Sequence, residues 1–178
     1  ETINTRGWNT SEVTDMAYMF NGCSSLKSLD LSSFNTEKVK SMLSTFRECT
    51  PLKTLNLSNF RTPALTQMQY MFYKDTALEE LDVSNFDTSL VTNMMWLFSE
   101  CSSLKRLDLS NFNTEKVTNY GNLFYNCSSL EYLDVSNFNT KGVTSLAAFF
   151  KSLSSLKELK LTNFKTGTIT TMNQMFYG

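Results

Sequence analysis

Three Ser-x-x-Lys motifs stand in the chain: Ser24 to Lys27, Ser102 to Lys105 and Ser154 to Lys157. At this spacing a serine serves as nucleophile and a lysine as its base in penicillin-recognising enzymes. There the serine opens a helix. Here it follows an expected helix, in a turn, and its recurrence with a repeat reads as structural. Four cysteines (Cys23, Cys49, Cys101, Cys127) offer metal or disulfide chemistry. Asp75 and Leu153 take their place in two other copies, and a leucine there marks a buried slot, so the cysteines read as buried thiols. Bridges Cys23–Cys49 and Cys101–Cys127 stay open, although coils on that side are expected to lie beyond the roughly 4.4–6.8 Å that a disulfide spans between Cα atoms. A four-cysteine zinc site lacks C-x-x-C spacing, and its pairs lie two coils apart. The chain has no histidine, which removes imidazole bases, Ser-His-Asp and Cys-His sets and histidine metal sites. Its 6 glycines are scattered and build no phosphate-cradling loop. With no coherent acid, base and nucleophile, a non-enzyme without cofactor or metal is expected.

The carboxylates are better ordered. One column reads Asp30, Asn56, Asp82, Asp108, Asp134, Lys160, and its neighbour Ser28, Thr54, Glu80, Arg106, Tyr132, Glu158. The first is nearly uniform and acidic; the second varies freely. Asp82, Asp108 and Asp134 would stack about 5 Å apart on adjacent strands, which is repulsive unless a cation or Arg106 intervenes. Three readings follow: a solvated polar face, a face that binds protein or glycan, and calcium held between carboxylates, for which no calcium-loop motif is present. These twelve residues are the candidate binding set. A second candidate surface is the aromatic group Tyr70, Tyr73 and Trp96 in outward columns, since such rings are enriched at interfaces.

What positions all of these is a repeat of 26 residues. Phe20, Phe46, Phe72, Phe98, Phe124, Phe150 and Phe176 form one series, and Trp8, Phe34, Phe60, Phe86, Phe112, Phe138 and Phe164 another. Of the 14 Phe residues only Phe149 stands outside both. Within a unit, Leu107 and Leu109 alternate with polar residues, which predicts a short strand. Val117, Tyr120, Phe124 and Cys127, at i, i+3, i+7 and i+10, predict one face of a short helix. Thr114 and its counterparts in every copy stand where a hydroxyl caps a helix start. The asparagines Asn59, Asn85, Asn111, Asn137 and Asn163 alternate inward, toward the backbone of the next coil. One unit cannot bury its own apolar face, but a stack can. The expected fold is α/β: a leucine-rich-repeat-like solenoid of about seven strand-turn-helix coils, with a parallel sheet on one side and short helices on the other.

Composition agrees. Apolar residues make up 41 % of 178, enough for a core, and the net charge of −1 does not suit nucleic-acid binding. No apolar run is long enough to span a membrane, and the first residues lack the pattern of a signal peptide.

The unit Leu-x-x-Leu-x-Leu/Val-Ser-Asn-Phe-x-Thr-x-x-Val-Thr-x-Met-x-x-Met-Phe-x-x-Cys-Ser-Ser resembles the repeat of BspA-type leucine-rich-repeat surface proteins, which include mycoplasma lipoproteins. The resemblance runs along the whole chain. It implies a leucine-rich-repeat solenoid, display on the cell surface and a role in adhesion or host interaction. One departure is plain: the asparagine comes one place earlier than in the common pattern and a phenylalanine follows it. Residues 1–178 are expected to be one repeat domain, a fragment of a longer surface protein. Its polar first copy resembles a cap, and its last coil is open to self-association. The expected partner is a host or environmental protein or glycan, with no nucleic acid and no membrane insertion by this segment. The competing reading is a structural spacer that displays another domain.

Overall fold

A computed structural model describes residues 2–178. The units beginning at Leu26, Leu52, Leu78, Leu104, Leu130 and Leu156 are called coils 1 to 6, preceded by a partial coil. Four strands are formed: β1 (Ser28–Asp30), β2 (Thr54–Asn56), β3 (Tyr132–Asp134) and β4 (Glu158–Lys160). β1 pairs with β2 and β3 with β4, both parallel and in a register of 26 residues, Leu29 opposite Leu55 and Leu133 opposite Leu159. The parallel sheet is therefore present, but in two pieces. Residues 80–82 and 106–108, expected to carry it across the middle, form no strand.

The core is made of the predicted columns. Leu26, Leu29, Leu31, Phe34 and Phe46 of coil 1 are buried, and so are their counterparts in coils 3 to 5. Phe20, Phe46, Phe72, Phe98, Phe124, Phe150 and Phe176 stack as one ladder, with ring centroids 5.7, 5.6, 5.8, 6.0, 6.2 and 5.4 Å apart and planes within 13° of parallel. That is offset stacking, in which each ring buries its faces on its neighbours.

The expected helices do not form. Val117, Tyr120, Leu123, Phe124 and Cys127 are buried as a helical face would be, but the backbone takes another path. Alternate amides leave their own coil: Met16, Tyr18, Phe20 and Gly22 donate to the carbonyls of Ser41, Leu43, Thr45 and Arg47 at 2.7–2.9 Å. The amides between them close three-residue-apart turns, Met19 to Met16, Asn21 to Tyr18 and Cys23 to Phe20. An α-helix needs every amide for the residue four back; here half are committed to the next coil. Two positions per coil pay for this geometry in backbone strain, namely Tyr18, Ser44, Tyr70, Trp96, Asn122, Ala148 and Gln174 (φ 53–60°), and Glu48, Lys74, Glu100, Asn126 and Ser152 (φ 57–62°). Each is the third residue of a turn, where a type II turn demands positive φ. Gly22 and Gly178 fill the second column without strain.

Two further expectations are corrected. The threonines cap no helix; Thr10, Thr36, Thr62, Thr88, Thr114 and Thr140 each reach the next coil. The Thr36 hydroxyl donates to the carbonyl of Arg61 at 2.7 Å and accepts from its amide at 2.9 Å, and Thr62 does the same to Asp87. The asparagines are exposed or half-buried rather than inward, and they bond the preceding coil: Asn85 to the carbonyl of Ser58, Asn111 to those of Val83 and Phe86. The chain bends after Leu109 into the turn that Phe112 closes, which ends the strand alternation.

Candidate binding cleft on the strand face

Ten of the twelve candidate residues are exposed; Asn56 and Asp134 are half-buried. Ser28, Asp30, Thr54 and Asn56 lie on the β1–β2 pair, and Tyr132, Asp134, Glu158 and Lys160 on β3–β4. Glu80, Asp82, Arg106 and Asp108 lie between the two pairs, outside any strand.

The acidic column has a local task. A carboxylate oxygen of Asp30, Asp82, Asp108 and Asp134 accepts the amide two residues on, from Ser32, Ser84, Ser110 and Ser136, at 2.9–3.0 Å; Asn56 does so with Ser58. Short polar side chains turn the backbone this way at strand ends. These bonds hold the carboxyls below their usual range, through serine amide then hydroxyl for Asp30 and Asp108, and hydroxyl then amide for Asp82 and Asp134. Repulsion along the column is thus met first by local donors, with Arg6 near Asp30 and Lys160 near Asp134 adding smaller contributions. Among the described residues no cluster of His, Cys, Asp or Glu is arranged to hold a metal.

The other chemistry also resolves. The four cysteines are free. Thiols of Cys49, Cys101 and Cys127 are buried and donate to the carbonyls of Phe20, Phe72 and Phe98 at 3.0 Å. In the Ser-x-x-Lys motifs, Lys105 pairs with Glu79 at 2.7 Å and Lys157 with Glu131 at 2.8 Å, each one coil back. Tyr70, Tyr73 and Trp96 do meet. Tyr70 stacks on Trp96 at 6.1 Å, Tyr73 meets both edge-on, and the Arg47 guanidinium lies 5.3 Å over Tyr73.

What the strand face adds is a cleft. Between coils 4 and 5 a volume of about 720 Å³ is lined by Lys105–Ser110 on one wall and by Glu131, Tyr132, Asp134, Ser136 and Asn137 on the other. The wall residues Arg106, Leu107, Asp108 and Leu109 make no backbone bond across it. The cleft is pinned at both ends: the Glu131 amide donates to Lys105 at 3.3 Å, and Asn137 Nδ2 donates to the carbonyls of Leu109 and Phe112 at 2.9 Å. Arg106, Asp108, Tyr132 and Asp134 belong to the candidate set expected from the sequence; Lys105, Ser110, Glu131, Ser136 and Asn137 join them only through the fold.

The opposite side shows why the opening falls here. Tyr120 replaces the methionine of its column and Phe149 the smaller residue of another. Both are fully buried, and Phe149 packs edge-on against Tyr120, Phe124 and Phe150. The Phe124–Phe150 step is the widest in the ladder, 6.2 Å. Of the alternate-amide bonds that join other coils, only Asn126 to Lys151 remains here. Strand pairing is interrupted between coils 2 and 3 and between coils 3 and 4 as well. Added ring volume accounts for the opened amide ladder between coils 4 and 5, since a packed core has no slack to absorb it. Phe149, the one phenylalanine outside the columns, is the sequence signal for this.

A family model described as "Mycoplasma protein of unknown function, DUF285" matches residues 2–78, 41–158 and 97–178. The chain belongs to this family. No curated protein matches it. Among solved structures, it is similar to a leucine-rich repeat protein of T. pallidum, at 23 % identity and a TM-score of 0.54, covering 84 % of this chain and 63 % of that one. A leucine-rich repeat protein of Bacteroides ovatus is matched at 16 % identity and a TM-score of 0.29, covering 83 % of this chain and 64 % of that one. The first likeness assigns this family member a leucine-rich-repeat-like fold. The chain spans under two thirds of the length of the structures it matches.

Proposed function

We propose that the protein is a non-enzymatic, cell-surface binding module of the BspA-like kind, whose strand face meets a host or environmental macromolecule outside the cell. The carrying observation is the cleft between coils 4 and 5. It lies where the strand pairing of the face is interrupted and the amide ladder behind it is also open, and it presents Arg106 and Tyr132 beside residues with structural bonds of their own. Arg106 forms no ion pair among the described residues, and Tyr132 is 40 % exposed. A stack that offers one variable side chain per coil builds affinity from many modest contacts. The near-neutral charge argues against a nucleic-acid partner.

The spacer reading draws on the acidic column, whose members are committed to their own turns. Swapping Asp82 or Asp108 would therefore disturb the fold as well as the face. The decisive variant is Arg106→Glu with Tyr132→Ala, assayed for binding of the purified protein to host cells and extracellular matrix. The binding reading expects a marked loss at unchanged melting temperature. Undiminished binding by the folded variant favours the spacer.

A further inference from the structure

We propose that the cleft between coils 4 and 5 is a carbohydrate site that takes a short neutral glycan against the ring of Tyr132. This deepens the binding-module reading and rests on it. The volume, about 720 Å³, is that of a small-ligand site rather than of a flat protein-binding face. Between the two pins the open wall runs from Lys105 to Leu109, about 13 Å at the rise of an extended strand. That length suits a unit of one or two sugar rings.

The lining has the mixed character that a sugar needs. Lys160 Nζ lies 5.3 Å over the Tyr132 ring but does not line the cleft, whereas Tyr132 does. The ring is anchored by its hydroxyl, which donates to Asp134 Oδ2 at 3.3 Å. The anchored aromatic ring, 40 % exposed, offers an apolar platform for the C–H face of a pyranose. Donors and acceptors surround it in balance. Arg106 and the wall amides of Arg106–Leu109 can donate, while Asp108 Oδ2, the carbonyls of Arg106–Asp108 and the amide oxygen of Asn137 can accept. Asn137 spends its nitrogen on Leu109 and Phe112. Lys105 and Glu131 at the rim are already paired, with Glu79 and Lys157.

Charge decides against simpler ligands. A small anion entering beside Arg106 meets Asp108, Glu131 and Asp134, and a small cation meets Lys105 and Arg106. A hydroxyl both donates and accepts, so a neutral polyol satisfies both signs. An extended peptide would need the two walls about twice the usual strand spacing of 4.8 Å apart along its whole length, and the pins at Glu131 and Asn137 hold the ends together.

The test is NMR titration of the full chain with a panel of neutral glucose, galactose and N-acetylglucosamine disaccharides, with sialylated disaccharides and an extended-peptide set as comparison arms. The expected result is shifts confined to the amides of 106–110 and 131–137 with neutral sugars. Tyr132→Ala should weaken binding by roughly tenfold or more, and Arg106→Ala by a comparable factor. Tyr132→Phe, which keeps the ring, should retain most of the affinity. Absence of neutral-sugar binding across the panel overturns the proposal. So does selective binding of the sialylated or peptide arms at these amides, though that result leaves the strand face as a binding surface. If Arg106→Glu with Tyr132→Ala also leaves cell and matrix binding intact, the binding-module reading falls with it.

Discussion

Coils 1 and 2 meet differently from coils 4 and 5. At the first interface β1 and β2 pair, and on the far side Met42, Ser44, Phe46 and Glu48 all donate to the next coil at 2.7–2.9 Å. At the second, the strand face is open and one alternate-amide bond survives. The repeat is the same length in both, so backbone register does not distinguish them. What differs is volume in the core: methionines at 42, 68 and 71 in one, Tyr120 and Phe149 in the other. The difference teaches that the backbone ladder tolerates thioethers, which adapt to gaps, and yields to rings. A binding cleft can arise in such a stack without insertion or loop, by adding two rings on the side opposite to it.

Truncating the ladder at the closed interface should have the largest effect. Phe46 is fully buried between Phe20 and Phe72, so Phe46→Ala should cost about 3–5 kcal/mol. Urea unfolding would read the loss as a lowered midpoint at unchanged slope. Next come the threonine clamps, which sharpen the comparison. Thr36→Val strands both polar groups of Arg61 and should cost about 1–3 kcal/mol. Thr114→Val should cost less. At the loosened interface the Asn139 carbonyl accepts the Tyr120 hydroxyl at 2.8 Å, so of the two Asn139 backbone groups the amide alone, held by Thr114 at 2.8 Å, loses its partner. Equal costs would mean that the Tyr120 hydroxyl does not stand in for the clamp.

Asp75 offers a pH probe at an interface that the rings do not disturb. It occupies the cysteine column, fully buried, with Oδ1 accepting the Cys49 amide at 2.9 Å and Oδ2 without a partner. Its neighbours in the column are the neutral thiols of Cys49 and Cys101, both pushed up by burial, Cys49 to about 12. Burial also raises the Asp75 carboxyl well above its ordinary 3.8. The folded state therefore holds the proton more tightly than the unfolded chain. The stability it contributes is complete below about pH 4, where both states are protonated, and declines as pH rises toward the raised folded value. The exposed carboxylates with lowered values act in the opposite direction, losing stability as pH falls. The difference between the wild type and Asp75→Cys isolates the buried acid. Melting curves across pH should show the variant gaining on the wild type as pH rises, and a flat difference would place a proton donor or cation beside Oδ2.

The columns were legible because a period of 26 residues is a property of the string, and side-chain type reports which positions face inward. Val117, Tyr120, Phe124 and Cys127 are buried as their spacing predicts. The helix itself was not legible, because its amides bond residues 25 positions away, and apolar spacing carries no information about where an amide points. The strand-face columns were found for the same reason as the core. The cleft was not, since it depends on how Tyr120 and Phe149 displace coils from behind. The acidic column suits a solvated face, a ligand or a cation by composition alone, and the recurring Asp-x-Ser is the signal in the string for its turn-forming bonds to the serines two residues on.

Removing the wedge tests the comparison directly. Tyr120→Met with Phe149→Leu restores the residue types that other coils use. The alternate-amide bonds should then close between coils 4 and 5, and the cleft should narrow. Hydrogen exchange at Asn122 and Phe124 should slow by about tenfold, the effect of roughly 1.4 kcal/mol in local opening. Unchanged exchange would show that the opening does not come from ring volume.

The smallest expected effect has the opposite sign. Ala148 stands in coil 5 with φ of 53°, in the column where the turn demands a left-handed residue. Its amide donates to Asn173 at 2.9 Å, and this bond holds the strained conformation in place. A left-handed L-residue costs about 1–2 kcal/mol, and glycine escapes that cost while losing about 0.5–1 kcal/mol in chain entropy relative to alanine. Ala148→Gly should therefore stabilise the protein by up to about 1 kcal/mol. The half-buried methyl that it removes is too small to reverse the sign. If the melting temperature falls instead, the neighbouring coils, and not the turn, set the backbone at this position, and the ladder between coils 5 and 6 is stiffer than its bonds imply.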